Sequence, residues 1–406
     1  MREFLLEIAL KKSEKIAMRI SQSSLEPLRE LVEEEWIRYE PRSNEPNSFS
    51  AIDGSHNTIE FKGFTLYALA GYGVGKFDEK VYEKIVGDVD ILTPPGISER
   101  VQLLRETAET ITAYMLSFTD IVMVDGSIRA LLIHPRPLAN ELTLKKALTS
   151  TIEKLGKEFY AEYWHEINEH LSELREKSST DVTIVDEPYI SKKIVRENEL
   201  YSDDDKNIVA LLEYLEKLMV LRKLIENTSL NNPKLVYVSK TSRTTLYLNK
   251  EWKNKLSKEN KDEIPVISDI LAFTYFTHEP GYSKPLSQME ISTLKHLPNH
   301  GELERIIYDF YNNLDYVITF IRLIEHGPVF KLEIPVSRNT VGKNDLDRII
   351  RRVMDIMKGL EVNGYPYPLI QADKSSKITR KDMIILAQSL GLLPTQTGRE
   401  VLIEWI

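Results

Sequence analysis

Strand patterns alternating with helical ones predict an α/β protein: a mixed sheet with flanking helices, a helical insertion and an N-terminal helical arm. Three observations carry this. Val122-Met123-Val124 is a short apolar run ended by Asp125-Gly126-Ser127, the form of a strand buried on both faces and stopped by a turn. Phe49-Ser50-Ala51-Ile52 ends the same way, at Asp53-Gly54-Ser55. Between them Leu104, Ala108, Ile111, Met115 and Phe118 recur at three- and four-residue steps, which predicts a helix over 98–118 with one apolar face.

Taken in order, residues 2–39 read as helical, with Phe4, Leu5, Ile8, Ile16, Met18 and Ile20 and then Leu25, Leu28, Leu31, Val32 and Trp36 in the pattern. So much apolar surface needs a cover, either a core of its own or a second subunit. Pro41, Asn44, Pro46 and Asn47 close this arm, set at 1–45. A first half of the core, 46–139, then holds the first Asp-Gly-Ser strand and strands over 61–74 and 81–92. Its helix and second Asp-Gly-Ser strand follow, and His134-Pro135-Arg136-Pro137 makes a stiff loop. Gly71-Tyr72-Gly73-Val74-Gly75-Lys76 fails as a phosphate loop, because Phe77 stands where Ser or Thr is needed and the glycine spacing is wrong. A glycine-rich hairpin or bulge is expected there.

Residues 140–230 read as a helical insertion. His165 and His170 sit five apart, about 140° round a helix, so they cannot share a metal. Asp203-Asp204-Asp205 is expected to cap the helix over 208–225. The second half of the core, 231–406, has strands over 234–240, 317–323 and 329–336, and helices over 303–310 and 345–357. An extended run from Tyr365 to Asp373 precedes a last helix capped by Thr379 and ending before Gly391.

Composition narrows the classes. Cysteine is absent, which excludes disulfides, thiolate zinc sites and cysteine nucleophiles. No uncharged apolar stretch approaches 18 residues, so no membrane span is expected. No signal peptide is expected either, and the expected compartment is the cytoplasm. Abundant Ile, Lys and Glu lean towards a thermophile. A net charge of −9 does not advertise nucleic-acid binding. The segment from Lys234 to Lys258 runs the other way, with Lys234, Lys240, Arg243, Lys250, Lys253, Lys255 and Lys258 against Glu251 alone.

The acids give the chain its chemistry. A strand with Asp53, further strands, an acid-bearing helix and a strand with Asp125 follow the layout of ribonuclease-H-like sheets, whose first and fourth strands lie side by side. Carboxylates gathered in this way suit Mg2+ or Mn2+, and a pair of ions can cleave a phosphodiester. Glu109 lies about 60° nearer than Glu106 to the apolar face of the predicted helix, at 100° per residue, so Glu109 is preferred and Glu106 held in reserve. One Asp-Gly-Ser is commonly only a turn. Two of them, with the helix between, argue for function.

The ordered set of Ala51-Ile52-Asp53-Gly54-Ser55, Val122-Met123-Val124-Asp125-Gly126-Ser127, Val238-Ser239-Lys240-Thr241-Ser242-Arg243 and Tyr365-Pro366-Tyr367-Pro368-Leu369-Ile370 resembles the NurA nuclease family of archaea. The resemblance runs from near Ser48 to Thr379. It implies a manganese-dependent 5′-to-3′ DNA nuclease with single-strand endonuclease activity on a ribonuclease-H-like core. It also implies a toroidal homodimer that resects double-strand ends with the hexameric DNA translocase HerA. Carried over, Asp53, Glu109 and Asp125 are metal ligands for Mn2+ or Mg2+, while Lys240 and Arg243 hold the scissile phosphate. Asp373 is a further catalytic candidate: it stands where the family commonly has a His, which departs from the pattern for an acid or base, while its carboxylate suits a metal. Asp269 is a reserve ligand, although Ser268-Asp269 also reads as a helix cap. Two alternatives come from other classes. An actin-like ATPase or phosphotransferase needs glycine-rich phosphate loops in both halves, and a non-catalytic subunit would only dock on the translocase.

Overall fold

The computed structural model describes residues 2–19, 26–43, 46–93, 96–133, 135–228, 233–247, 268–288, 301–338 and 343–393. Strands β2 (Ser48–Phe61), β3 (Phe64–Phe77) and β4 (Lys80–Leu92) form an antiparallel meander. β5 (Val122–Asp125) lies parallel to β2, pairing Ser50 with Val122 and Ile52 with Val124. β7 (Leu235–Ser239) lies parallel to β5. Beyond it come β11 (Phe330–Ser337), β10 (Leu314–Arg322), β8 (Gly281–Ser283) and β1 (Trp36–Arg38), all antiparallel. β6 (Val182–Val185) closes the far edge against β4, and β9 (Leu286–Gln288) pairs with β10. The described sheet thus runs β1-β8-β10-β11-β7-β5-β2-β3-β4-β6.

Side chains alternate across a sheet, so each central strand feeds two cores. Ile52, Val122, Val124 and Tyr237 face helices α3 (Ile97–Met115), α5 (Glu141–Leu155), α6 (Phe159–Lys177) and α8 (Lys206–Thr228). Ala51, Met123, Val236 and Val238 face α11 (Lys343–Gly359) and α12 (Tyr367–Ser376). Helix α3 is enclosed between the sheet and α8, and its polar residues Glu106, Thr107, Glu109, Thr110 and Thr112 are buried with the apolar ones. A single apolar stripe is therefore too simple a reading of this helix. Among the described residues no helix is long and apolar enough to cross a membrane.

Several expectations are corrected. Asp53-Gly54-Ser55 does not end a strand, since β2 continues to Phe61 in unbroken register with β3. Only the Asp125 copy is terminal, where Gly126 takes φ +133°. The glycines at 71, 73 and 75 form neither hairpin nor bulge but lie inside β3. A Cβ on Gly71 would stand 2.7 Å from the Ala108 carbonyl, so glycine there lets α3 rest on the sheet. The run to Asp373 is not extended: β13 (Tyr365–Pro366) pairs with β12 (Glu361–Val362), and α12 begins at Tyr367. Proline is compatible with a first helical turn, so Pro366 and Pro368 start this helix.

In the arm the described helices are α1 (Arg2–Arg19) and α2 (Arg29–Glu35), and Trp36–Arg38 joins the sheet as an edge strand. Leu5, Leu6 and Leu10 of α1 are exposed. Ile20, Leu25, Asn44 and His134 lie outside the described residues. His165 is exposed beside Glu169, while His170 is half-buried with Nε2 3.2 Å from the Pro188 carbonyl, so only the former is a surface residue. Asp205 and Ser202 form the capping box ahead of α8.

Candidate metal centre

The parallel register of β2 and β5 sets the site. Because Ile52 is opposite Val124, Asp53 and Asp125 are the next residues on adjacent strands, and alternation turns both towards α12. Helix α12 is tied over them by β2 itself. Ser55 Oγ accepts from the Ile378 N–H at 3.0 Å, and Asn57 Nδ2 donates to the Ile378 carbonyl at 3.2 Å. Ser376 Oγ then donates to Asp53 Oδ2 at 3.3 Å, and Asp373 is exposed at the rim, near enough to repel both aspartates. Lys240 follows β7 and holds Asp125 Oδ2 at 3.4 Å, while its Nζ sits 4.4 Å over the Tyr365 ring.

Glu109 approaches from the α3 side, beneath Gly54. A Cβ at Gly54 would run into the Glu109 side chain, so this glycine is what lets the carboxylate come up to the strand. Arg105, one turn earlier, pairs with Glu109 and donates to the Gly54 carbonyl at 3.4 Å. Glu106 points elsewhere: its carboxylate accepts from the buried Lys217 at 2.9 Å and from Gln102 at 2.8 Å.

Crowded carboxylates hold their protons. Burial pushes the Asp53 carboxyl up to about 6, with repulsion from Asp125 and Asp373 adding to it. Glu109 is pushed up to about 8 by burial, against the pull of Arg105 and with repulsion from Asp53 and Glu106. Burial also raises Asp125, opposed by Lys240. Such a cluster is short of positive charge, and its donors are all hard oxygens, the set that suits Mg2+ or Mn2+. The donor chemistry therefore fits a divalent cation. With Arg105 on Glu109 and Lys240 on Asp125, no three Asp, Glu or His groups among the described residues stand in ligating arrangement.

Arg243 is exposed just beyond Lys240. Asp269 is fully buried at the start of α9 (Asp269–Phe276), where it accepts from the N–H groups of Leu246 and Tyr247, the latter at 3.1 Å. Both bonds tie it to the segment after Lys240. Lys250, Lys253, Lys255 and Lys258 lie outside the described residues. Arg105, Tyr365 and Ser376 were not singled out from sequence. Arg105 has a signal in its i, i+4 spacing to Glu109, and Tyr365 opens the Tyr365–Ile370 motif. Its hydroxyl is buried without a hydrogen-bond partner, among Asp125, Asp53 and Asp373.

Known proteins share this frame. The NurA domain family matches residues 47–378. A probable DNA double-strand break repair nuclease NurA from Methanocaldococcus jannaschii is 26% identical over 404 residues, covering 96% of this chain and 89% of that protein. A crystal structure of NurA with manganese superposes with a TM-score of 0.68 at 15% identity, over 95% of this chain and 98% of the other. A crystal structure of NurA bound to dAMP and manganese gives 0.67 at 15% identity, over 98% and 97%. With most of its length matched, this chain belongs to the NurA family.

Proposed function

We propose that this chain is a metal-dependent DNA nuclease on a ribonuclease-H-like core. Its action on DNA ends combines 5′-to-3′ exonuclease and single-strand endonuclease activity. It works as a cytoplasmic homodimer with a HerA-type hexameric translocase in double-strand-break resection. Residues 46–139 and 231–406 form the two halves of the core, 140–230 an insertion and 1–45 an arm. The observation that carries the reading is the β2–β5 register, which sets Asp53 beside Asp125 with Lys240 on the same face. The core assignment is supported by the order β4-β3-β2-β5-β7, a meander followed by two parallel strands. The nuclease assignment is supported by the names of the relatives, one of which binds dAMP and manganese.

Asp53, Asp125 and Glu109 would hold the metal. When bound, one or two Mn2+ ions, with Mg2+ as substitute, supply the charge that activates water and steadies the leaving oxygen. Lys240 Nζ, braced on the Tyr365 ring, binds a non-bridging oxygen of the scissile phosphate and fixes its angle to the carboxylates. Arg243 binds a neighbouring phosphate. Asp373, exposed at the rim, accepts the proton of the attacking water at a carboxylate oxygen.

The test is digestion of end-labelled single- and double-stranded DNA by purified protein with Mn2+, against Asp53→Ala. Early release of the label from 5′-labelled strands, with progressive shortening of 3′-labelled ones, by wild type alone supports the reading. Intact DNA in both samples ends it, and full resection with the translocase after Asp125→Ala favours a docking subunit.

A further inference from the structure

One buried ion pair has no part in the mechanism above. On β11, Lys331 and Glu333 are 3% and 0% exposed and bond to each other at 2.6 Å. Desolvating two charges is costly, and apolar residues commonly serve a core as well or better. The pair's other contacts show what it is attached to. Glu333 Oε2 accepts from Ser127 Oγ at 2.7 Å and from the Arg129 N–H at 3.3 Å. Lys331 is in register with Ser239, whose Oγ donates to the Gly126 carbonyl, and the Gly126 N–H donates to Val238 at 2.9 Å. Gly126, Ser127 and Arg129 are thus all fastened, and they are the residues that follow Asp125. Ser239 precedes Lys240. Both members of the Asp125–Lys240 pair are therefore mounted on backbone secured by this network.

We propose that Glu333 is a positioning residue: through Ser127 and the Arg129 N–H it holds the turn after β5, and so fixes the Asp125 carboxylate for metal and its distance from Lys240. This rests on the metal-binding reading above. A neutral side chain of the same size lacks an oxygen pair of matching strength, since bonds to ionised groups are roughly twice as strong as neutral ones. Lys331 supplies the opposite charge locally, so the device adds no net negative charge beside a site that must admit phosphate.

The test compares Mn2+ affinity by calorimetry or electron paramagnetic resonance, with kcat and KM on DNA, in three proteins besides wild type. Ser127→Ala removes one bond and leaves the ion pair. Glu333→Gln keeps the shape but leaves the buried Lys331 ammonium unpaired, so its Mn2+ affinity is read on the folded fraction. The double variant Lys331→Met with Glu333→Met replaces the charges by apolar groups, and its melting temperature reports on folding. Weaker Mn2+ binding by about tenfold or more in the double variant, with the protein still melting in one cooperative transition, kcat down and KM little changed, is expected. Ser127→Ala and Glu333→Gln should fall between. If the folded double variant binds Mn2+ as wild type does, the pair is merely structural and the inference fails. If wild type itself binds no Mn2+, the metal-site reading fails and takes this inference with it.

Discussion

Lys240 stands 3.4 Å from Asp125 and on the Tyr365 ring, so a cation and a carboxylate meet at the ends of two central strands of the sheet. An ammonium placed this way can pass from the carboxylate to an incoming phosphate. Lys240→Ala should lower kcat roughly 100-fold, the scale of losing one preorganised charge donor, while leaving the fold intact because the side chain is partly exposed. Lys240→Arg should recover part of that loss. Single-turnover digestion of labelled DNA measures both.

Glu106 and Glu109 are adjacent turns of one helix with opposite expected phenotypes. Glu106→Ala strands the buried Lys217 ammonium and should destabilise by about 3–5 kcal/mol, read by urea unfolding, with Mn2+ binding retained in the folded fraction. Glu109→Gln should remove repulsion with Asp53 and cost little stability, yet weaken Mn2+ binding strongly. Equal metal affinity in Glu109→Gln and wild type would move the third ligand elsewhere.

Gly71 and Gly54 are opposite each other in the β2–β3 ladder beneath α3. Alanine at 71 would meet the Ala108 backbone, which has no rotamer to yield. Gly71→Ala should therefore destabilise by about 1–3 kcal/mol as an overpacked contact. Gly54→Ala should displace Glu109 instead, lowering activity more than the midpoint of denaturation. Chemical unfolding run beside DNA digestion separates the two.

The raised carboxyls make the metal-free protein sensitive to pH. The folded state holds the Asp53 and Glu109 protons more tightly than the unfolded chain does. Their contribution to stability is thus complete at acid pH and lost as pH climbs through about 6 and then about 8. Melting temperature without metal should fall over that interval, and Asp53→Asn should flatten the lower part of the fall. Mn2+ displaces the same protons, so its affinity should rise over the same window.

The sequence reveals the site unevenly, for physical reasons. Val122-Met123-Val124 is too apolar to be anything but a doubly buried strand, and Asp125-Gly126 ends it, so that half of the centre was visible. Asp53-Gly54 carries the same letters for a different cause: β2 does not turn there, and glycine is needed because Glu109 lies against it. Spacing within the chain exposes i, i+4 neighbours but not partners 206 residues away, which is why Glu333 beneath Ser127 had no signal. Asp373 is legible as an acid, but Pro366 and Pro368 read as extended chain in the sequence and start a helix in the fold.

The most direct measurement is a crystal structure of the protein soaked in Mn2+, with anomalous density recorded at the manganese edge. The expected result is density bounded by oxygens of Asp53, Asp125 and Glu109 at about 2.0–2.6 Å, with Arg105 withdrawn from Glu109. Density elsewhere, or none with Arg105 still on Glu109, contradicts a metal centre at the β2–β5 junction.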